Sequence, residues 1–242
     1  MLRKDVILAH DFGTTGDKAS LFDFSGQLLA SHYYPYETTY PHLGWSEQDP
    51  NDWKRAFVES TKTVLSAARL TSDQIAGISF SGHMLGCVPI DRRGNVLRKT
   101  VFLWADYRSQ QQAEFIREVV GWERFYKTTG GGLELALYPA AKILWLKEHE
   151  PELYTKTYKF IGTKDLIVHW LTGRVLTDFS DASNTGLFDI QKRIWASDLI
   201  RALGIEEEKL PEEVLPSTTI VGEVSAEASR ETGLAEGTPV VL

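Results

Sequence analysis

Val6-Ile7-Leu8-Ala9 is a short unbroken apolar run, the pattern of a strand buried on both faces. The turn formers Gly13-Thr14-Thr15-Gly16 follow it, and Ala19-Ser20-Leu21-Phe22-Asp23-Phe24 resumes as a second strand. Ser25-Gly26-Gln27 then turns the chain into Leu28-Leu29-Ala30-Ser31-His32-Tyr33-Tyr34. Strand runs separated by such turns predict a three-stranded antiparallel meander. The Thr-rich turn sits at a hairpin tip, with backbone amides free to face a ligand.

The period then changes. Asp49 is a helix cap, Pro50 suits the first helical position, and Asn51-Asp52 enrich the first turn in acidic and amide groups. Trp53, Ala56, Phe57, Val64, Leu65 and Ala68 recur at helical spacing through Leu70. Ile75-Ala76-Gly77-Ile78-Ser79-Phe80-Ser81 reads as a buried strand broken by Gly82. Val88-Pro89-Ile90-Asp91 and Val101-Phe102-Leu103-Trp104 read as short strands joined through the turn Arg92-Arg93-Gly94-Asn95. Beyond them the pattern is helical: Tyr107 to Val120, Pro139 to His149 with Pro151 ending it, Lys164 to Leu171 stopped by Thr172-Gly173, and Ile194 to Leu203 ended by Gly204. This order predicts a mixed α/β domain with an inserted helical part. Gly237-Thr238-Pro239-Val240-Val241-Leu242 reads as a turn opening into another strand, so the chain is expected to be the first part of a longer protein.

Composition narrows the class. The 242 residues are 43% hydrophobic and 24% charged, ordinary for a globular protein. A formal charge of -7 argues against nucleic acid as the main partner, since neutralising phosphates needs a basic surplus. Cys87 stands alone and cannot form an internal disulfide, which suits a reducing cytoplasm. The start of the chain lacks the apolar core and cleavage site of a signal peptide, and no run nears the ~20 residues that span a bilayer. A cytoplasmic protein without a membrane partner is expected. The six histidines are scattered, and none pairs with Cys87 at zinc spacing.

The clearest candidate chemistry lies in Asp11-Phe12-Gly13-Thr14-Thr15-Gly16-Asp17-Lys18. Nucleotide phosphates need several backbone donors in a concave turn, small residues for close approach, and hydroxyls for further bonds. Gly13, Thr14, Thr15 and Gly16 supply these, and Lys18 adds a positive charge. Asp11, at the strand end, suits Mg²⁺, which keeps several waters and takes few carboxylates. On the residues alone, an ordinary hairpin explains the same string equally well. The spacing is not that of a Walker A loop. Nor is Asp11-Phe12-Gly13 the metal motif of a protein kinase, which follows a catalytic loop instead of opening the chain.

Together with four later segments, this string resembles the FGGY carbohydrate kinases, and among them the xylulokinases. The segments are Gly44-Trp45-Ser46-Glu47-Gln48-Asp49-Pro50-Asn51-Asp52-Trp53, Ser81-Gly82-His83-Met84-Leu85-Gly86, Leu103-Trp104-Ala105-Asp106-Tyr107-Arg108 and Thr177-Asp178-Phe179-Ser180-Asp181-Ala182-Ser183-Asn184-Thr185. The resemblance covers essentially the whole chain. It implies an actin-like, RNase H-like ATPase domain with a mixed sheet, flanking helices and a helical insertion. Residues 1–242 would be the N-terminal domain, with a C-terminal kinase domain as partner and a homodimer left open.

The implied reaction is ATP-dependent phosphorylation of a sugar hydroxyl, on a ketopentose such as xylulose or a related polyol. ATP and Mg²⁺ are the implied cofactors. Asp11 would organise the metal, and Gly13, Thr14, Thr15, Gly16 and Lys18 would meet the phosphates. Met84 and Leu85 would touch the sugar, Trp104 would wall its pocket, and Asp106 would bond or brace it. Leu85 and His83 depart from the family pattern of a polar side chain and a glutamine, which leaves the sugar open; His83 is a candidate to serve for the lost group. Trp104 and Trp53 also read as core residues, Asp106 with Arg108 as a bridge, and Asp178 with Asp181 as loop braces. The general base, an Asp, is expected just after Leu242, so the chain alone is expected to be inactive. A non-catalytic sugar-binding or regulatory actin-like domain is the alternative.

Overall fold

The computed structural model describes residues 5–242. β1 (Val6–Phe12), β2 (Gly16–Asp23) and β3 (Leu28–Pro35) form the expected antiparallel meander. β4 (Ile75–Gly82) runs parallel to β1 on its other side. Two late strands, β5 (Ile220–Glu223) and β6 (Pro239–Val241), complete a six-stranded mixed sheet in the order β5-β6-β4-β1-β2-β3, with β6 parallel to β4. Alternation along β1 buries Val6, Leu8, His10 and Phe12 on one face and leaves Asp11 exposed on the other.

Helix α1 (Pro50–Ala68) covers the buried face. Its cap is the one read from sequence: the Asp49 carboxylate accepts from the Asn51 amide, with Pro50 in the first turn. Trp53, Ala56, Phe57 and Val64 face the sheet and are fully buried. His10 sits under this helix, its ring nitrogens on Asp17 at 2.9 Å and on Thr61 at 3.1 Å. A hydrogen-bonded polar chain thus crosses the core without an unpaired group.

The chain then leaves the sheet. α2 (Gln110–Val120), α3 (Trp122–Thr129), α4 (Pro139–His149) and α5 (Pro151–Lys156) are helical hairpin pieces with their own core. α6 (Thr163–Thr172) returns to the sheet, ending on Gly173 at φ +75°. α7 (Phe179–Ser183) and α8 (Ser197–Ala202) follow, and α9 (Ala226–Thr232) lies between β5 and β6. Two hydrophobic cores result, one under the sheet and one among the helices. The residues between them alternate: Leu85, Cys87 and Phe102 enter the helical core, whereas Val88, Val101 and Leu103 enter the sheet core.

Three local expectations are corrected. The segment from Ile194 to Leu203 is not one helix, because Ile194–Trp195 pairs antiparallel with Phe188–Asp189 and only Ser197–Ala202 is helical. The Asp189 carboxylate accepts from the amides of Gln191 and Lys192, and this local capture closes a hairpin where side-chain periodicity suggested a helix. Pro151 ends α4 but also opens α5, as a proline at a first helical position does. The second of the short strands is shorter than read, Val101–Phe102; it pairs with Glu47–Gln48 and meets the first segment through the isolated bridge Cys87–Phe102, while Val88–Ile90 pairs with Lys159–Ile161. No helix among the described residues is long and apolar enough to cross a membrane.

Candidate functional site

The turn between β1 and β2 is short. Phe12 pairs with Asp17 and Asp11 with Lys18, which leaves Gly13-Thr14-Thr15-Gly16 between them as the tip. The Gly13 amide is engaged within the turn, donating to the Gly16 carbonyl at 2.9 Å. Gly13 therefore supplies shape and not a free donor. Gly16 has no room for a side chain: a Cβ there would lie 2.5 Å from the Tyr34 carbonyl and from the Tyr33 ring. Asp17 points into the core, towards His10.

Neutral groups hold the tip from outside. The Gln48 side-chain amide donates to the Thr14 carbonyl at 2.6 Å and to the Thr38 hydroxyl at 2.8 Å. Its carbonyl in turn accepts from the Trp53 indole at 2.9 Å. The Tyr36 hydroxyl donates to the Gly13 carbonyl, and the Tyr33 hydroxyl to Thr15 Oγ1 at 2.8 Å. Burial, with the nearby Asp17, Tyr33 and Asp11, raises the pKa of Tyr36, so it stays a donor. Among the described residues nothing accepts from the Thr14 and Thr15 amides. Two backbone donors are left unused in a loop braced by side chains, an arrangement that suits an anion.

Register puts a polar row across the sheet beside this tip. Ser81 on β4 lies next to Asp11 on β1, Asp11 next to Lys18 on β2, and Lys18 next to Tyr33 on β3. All four are exposed, and no ion pair joins Asp11 to Lys18 among the described residues. Asp11 is a lone open carboxylate, and no cluster of three metal-ligating side chains exists among the described residues. That donor set fits Mg²⁺, which takes one or two carboxylates and completes its shell with water and phosphate.

The segments expected to meet a sugar begin where β4 ends. The His83 amide donates to the Phe12 carbonyl at 2.8 Å, so the loop starts against the turn. Met84 is 48% exposed and Trp104 40% exposed. The Trp104 indole donates to Thr14 Oγ1 at 3.0 Å and so joins the two parts of the site. The other candidates face inward. Leu85 is buried at φ +63°, with its side chain in the helical core. The His83 ring lies 3.3 Å from Thr163 Oγ1 and edge-on to Trp53. Burial, reinforced by the nearby Lys142, lowers its pKa to about 4 and keeps it neutral.

Asp106 is 0% exposed, and both of its oxygens have partners. Ser46 N–H donates to Oδ2 at 2.7 Å, and Arg108 forks onto both oxygens at 2.9 and 2.7 Å. The same guanidinium reaches Glu47 and lies 3.6 Å from the Trp45 ring centre and 3.9 Å from that of Phe102. The bridge reading of Asp106 and Arg108 is what the geometry contains. Asp178 caps α7 by accepting from the Asp181 amide, the bracing role read from sequence. Sequence alone did not reveal that Asp165, Asp178 and Asp181 all surround the Lys164 ammonium at 3.3, 3.4 and 3.3 Å. Gln48, Tyr33, Tyr36 and Ser81 were missed as site residues too. Gln48 lies inside a segment already singled out, but only the fold brings it to the turn.

Residues 6–242 match the model of the FGGY family of carbohydrate kinases, N-terminal domain. The chain is 35% identical to the xylulose kinase of Staphylococcus xylosus over 94% of its own length and 46% of that protein. It is 38% identical to the xylulose kinase of Lactococcus lactis over 91% of its length and 43% of that protein. The solved xylulose kinase of Rhodospirillum rubrum superposes with a TM-score of 0.90 at 28% identity, covering 98% of this chain and 48% of the other. The chain spans less than half the length of these curated relatives.

Proposed function

We propose, from the premise that this chain belongs to the FGGY family of carbohydrate kinases, that it forms the N-terminal domain of an ATP-dependent sugar kinase acting on a ketopentose or polyol. The observation that carries this reading is the bond between Trp104 and Thr14. It sets an exposed aromatic wall directly against a turn with two free amides, an open carboxylate and a lysine. A flat apolar face beside an anion cradle suits a sugar hydroxyl approaching a terminal phosphate.

In this reading the Thr14 and Thr15 amides and Lys18 hold the phosphates, and Gly16 lets them come close. Asp11 would hold Mg²⁺, which supplies charge neutralisation when bound. Met84 and Trp104 face the sugar, while His83, Leu85 and Asp106 act from behind the wall. Transfer breaks the bond between the γ-phosphorus and the oxygen bridging to ADP, and forms one from phosphorus to the sugar oxygen. The sugar's proton passes to a carboxylate base. No exposed acid other than Asp11 lies in the row beside the turn, so we assign the base to the C-terminal part of the complete protein. β6 runs parallel to β4 and β1, so polypeptide following it emerges on the same edge as Gly82 and Asp11.

The test is ADP release, with and without xylulose, by the complete kinase and by the 242-residue chain. Sugar-dependent release is expected from the first only. A normal rate from the isolated chain would remove the assignment of the base.

A further inference from the structure

α4 is lined with Ala140, Ala141, Ile143 and Leu144, yet one of its most deeply enclosed side chains is a lysine. Lys142 is 0% exposed, and no carboxylate forms an ion pair with it among the described residues. Its ammonium donates instead to two main-chain carbonyls, Leu85 at 2.8 Å and Leu103 at 2.6 Å. These acceptors lie 57 and 39 residues away in the sequence. One belongs to the loop that carries Met84, and the other immediately precedes Trp104. Burial lowers the pKa of Lys142 to about 7, with Cys87 and Asp106 favouring the charge and Arg108 opposing it.

An apolar residue would fill this place at less desolvation cost, because a buried ammonium is unfavourable unless its donors are used. The donors here are used on the two segments that wall the site, and on nothing else among the described residues. Leu85 adds a second sign of constraint. Its φ of +63° is unfavourable for a branched side chain and persists only where surroundings impose it. The bond from Lys142 acts on the carbonyl of that same residue.

We infer that Lys142 is the positioning residue of the sugar wall. One ammonium holds the backbone at Leu85 against the backbone at Leu103, and so sets the gap between Met84 and Trp104 that admits the sugar. This rests on the sugar-kinase reading. Lys142 touches no substrate; it acts through the two carbonyls, and its loss widens the sugar gap while the phosphate turn keeps its own braces from Gln48, Tyr33 and Tyr36.

Steady-state kinetics of the complete kinase, with xylulose and with glycerol as acceptors, test it in the variants Lys142→Met and Lys142→Gln. Lys147→Met serves as control, because Lys147 is on the same helix but bonds the distant Gly204 carbonyl. The expected result is a rise of about tenfold or more in the sugar KM for Lys142→Met. Lys142→Gln, which keeps a donor, should show a smaller rise. The KM for ATP should stay within about twofold, and the control should match the wild type. A sugar KM unchanged in Lys142→Met overturns the inference. So does a parallel loss of sugar binding, ATP binding and thermal stability in both variants, which marks a purely structural lysine. If the wild type turns over neither acceptor, the kinase reading fails by itself, and calorimetric binding of the same two compounds then decides the role of Lys142 by the same comparison.

Discussion

The turn proposed to hold phosphate and the wall proposed to face the sugar lie side by side, yet they are held in different ways. The turn is anchored to one core and braced by neutral donors: the amide of Gln48, the hydroxyls of Tyr33 and Tyr36, and the indole of Trp104. The wall straddles both cores and is braced by buried basic side chains, with Arg108 between Asp106 and Glu47 and with Lys142 donating to two carbonyls. Neutral bonds between groups that are already close are individually modest and insensitive to pH. A buried ion holds distant segments strongly only while every partner is present, and removing one leaves the others unpaired. The fold therefore makes the turn robust and the wall exacting.

Cutting the wall's charge network should give the largest effect. Arg108→Met leaves the buried Asp106 carboxylate without its cation, while Glu47 keeps Arg98 and Thr100, and is expected to cost about 3–5 kcal/mol in urea unfolding. A loss below about 1 kcal/mol would show that charge does not hold the wall. Next in size is Asp11→Ala in the complete kinase. Turnover should fall about 100-fold or more, with the sugar KM within about threefold. Normal turnover would take Asp11 out of the site.

The turn's braces are expected to matter less. Gln48→Ala leaves the Trp53 indole and the Thr14 carbonyl without their partner and should cost about 2 kcal/mol. In the complete kinase it should raise the KM for ATP more than that for sugar; the opposite order would dissolve the distinction between the two regions. The last expected effect is a pH slope, which is absent at pH 7 and grows only on acidification. His83 has a folded pKa lowered to about 4 from 6.5, so between these values the unfolded chain binds more protons. Stability should fall as pH drops through 6.5 toward 4, and His83→Asn should lack that part of the slope. Equal slopes for wild type and variant, measured by thermal unfolding from pH 7 to pH 4, would contradict the burial of a neutral imidazole.

Much of this was legible from local pattern. Asp49 and Pro50 announced α1, and the apolar runs around Gly13–Gly16 announced the meander, because caps and strand periodicity depend on near neighbours. The hairpin at 188–195 was not legible, since a single carboxylate, Asp189, outcompeted the helical spacing of the residues after it. The five segments identified the family and offered Met84 and Leu85 as sugar contacts, Trp104 as the pocket wall and Asp106 as a bond or brace to the sugar, without telling which of them face a ligand. Leu85 and Asp106 turn inward because the wall is the seam between two cores, and a seam exists only once both cores have formed.

The sequence by itself determined the meander, the first long helix, the string of the turn and the kinship with sugar kinases. Each rests on residues a few positions apart, whose spacing is the chemistry. Only the tertiary structure decided which of those residues are open to a ligand and what holds them. It brought Gln48 to Thr14, Trp104 to the same threonine, and Lys142 to Leu85 and Leu103. A side chain's partners across dozens of residues depend on how two cores pack, and no local pattern encodes that.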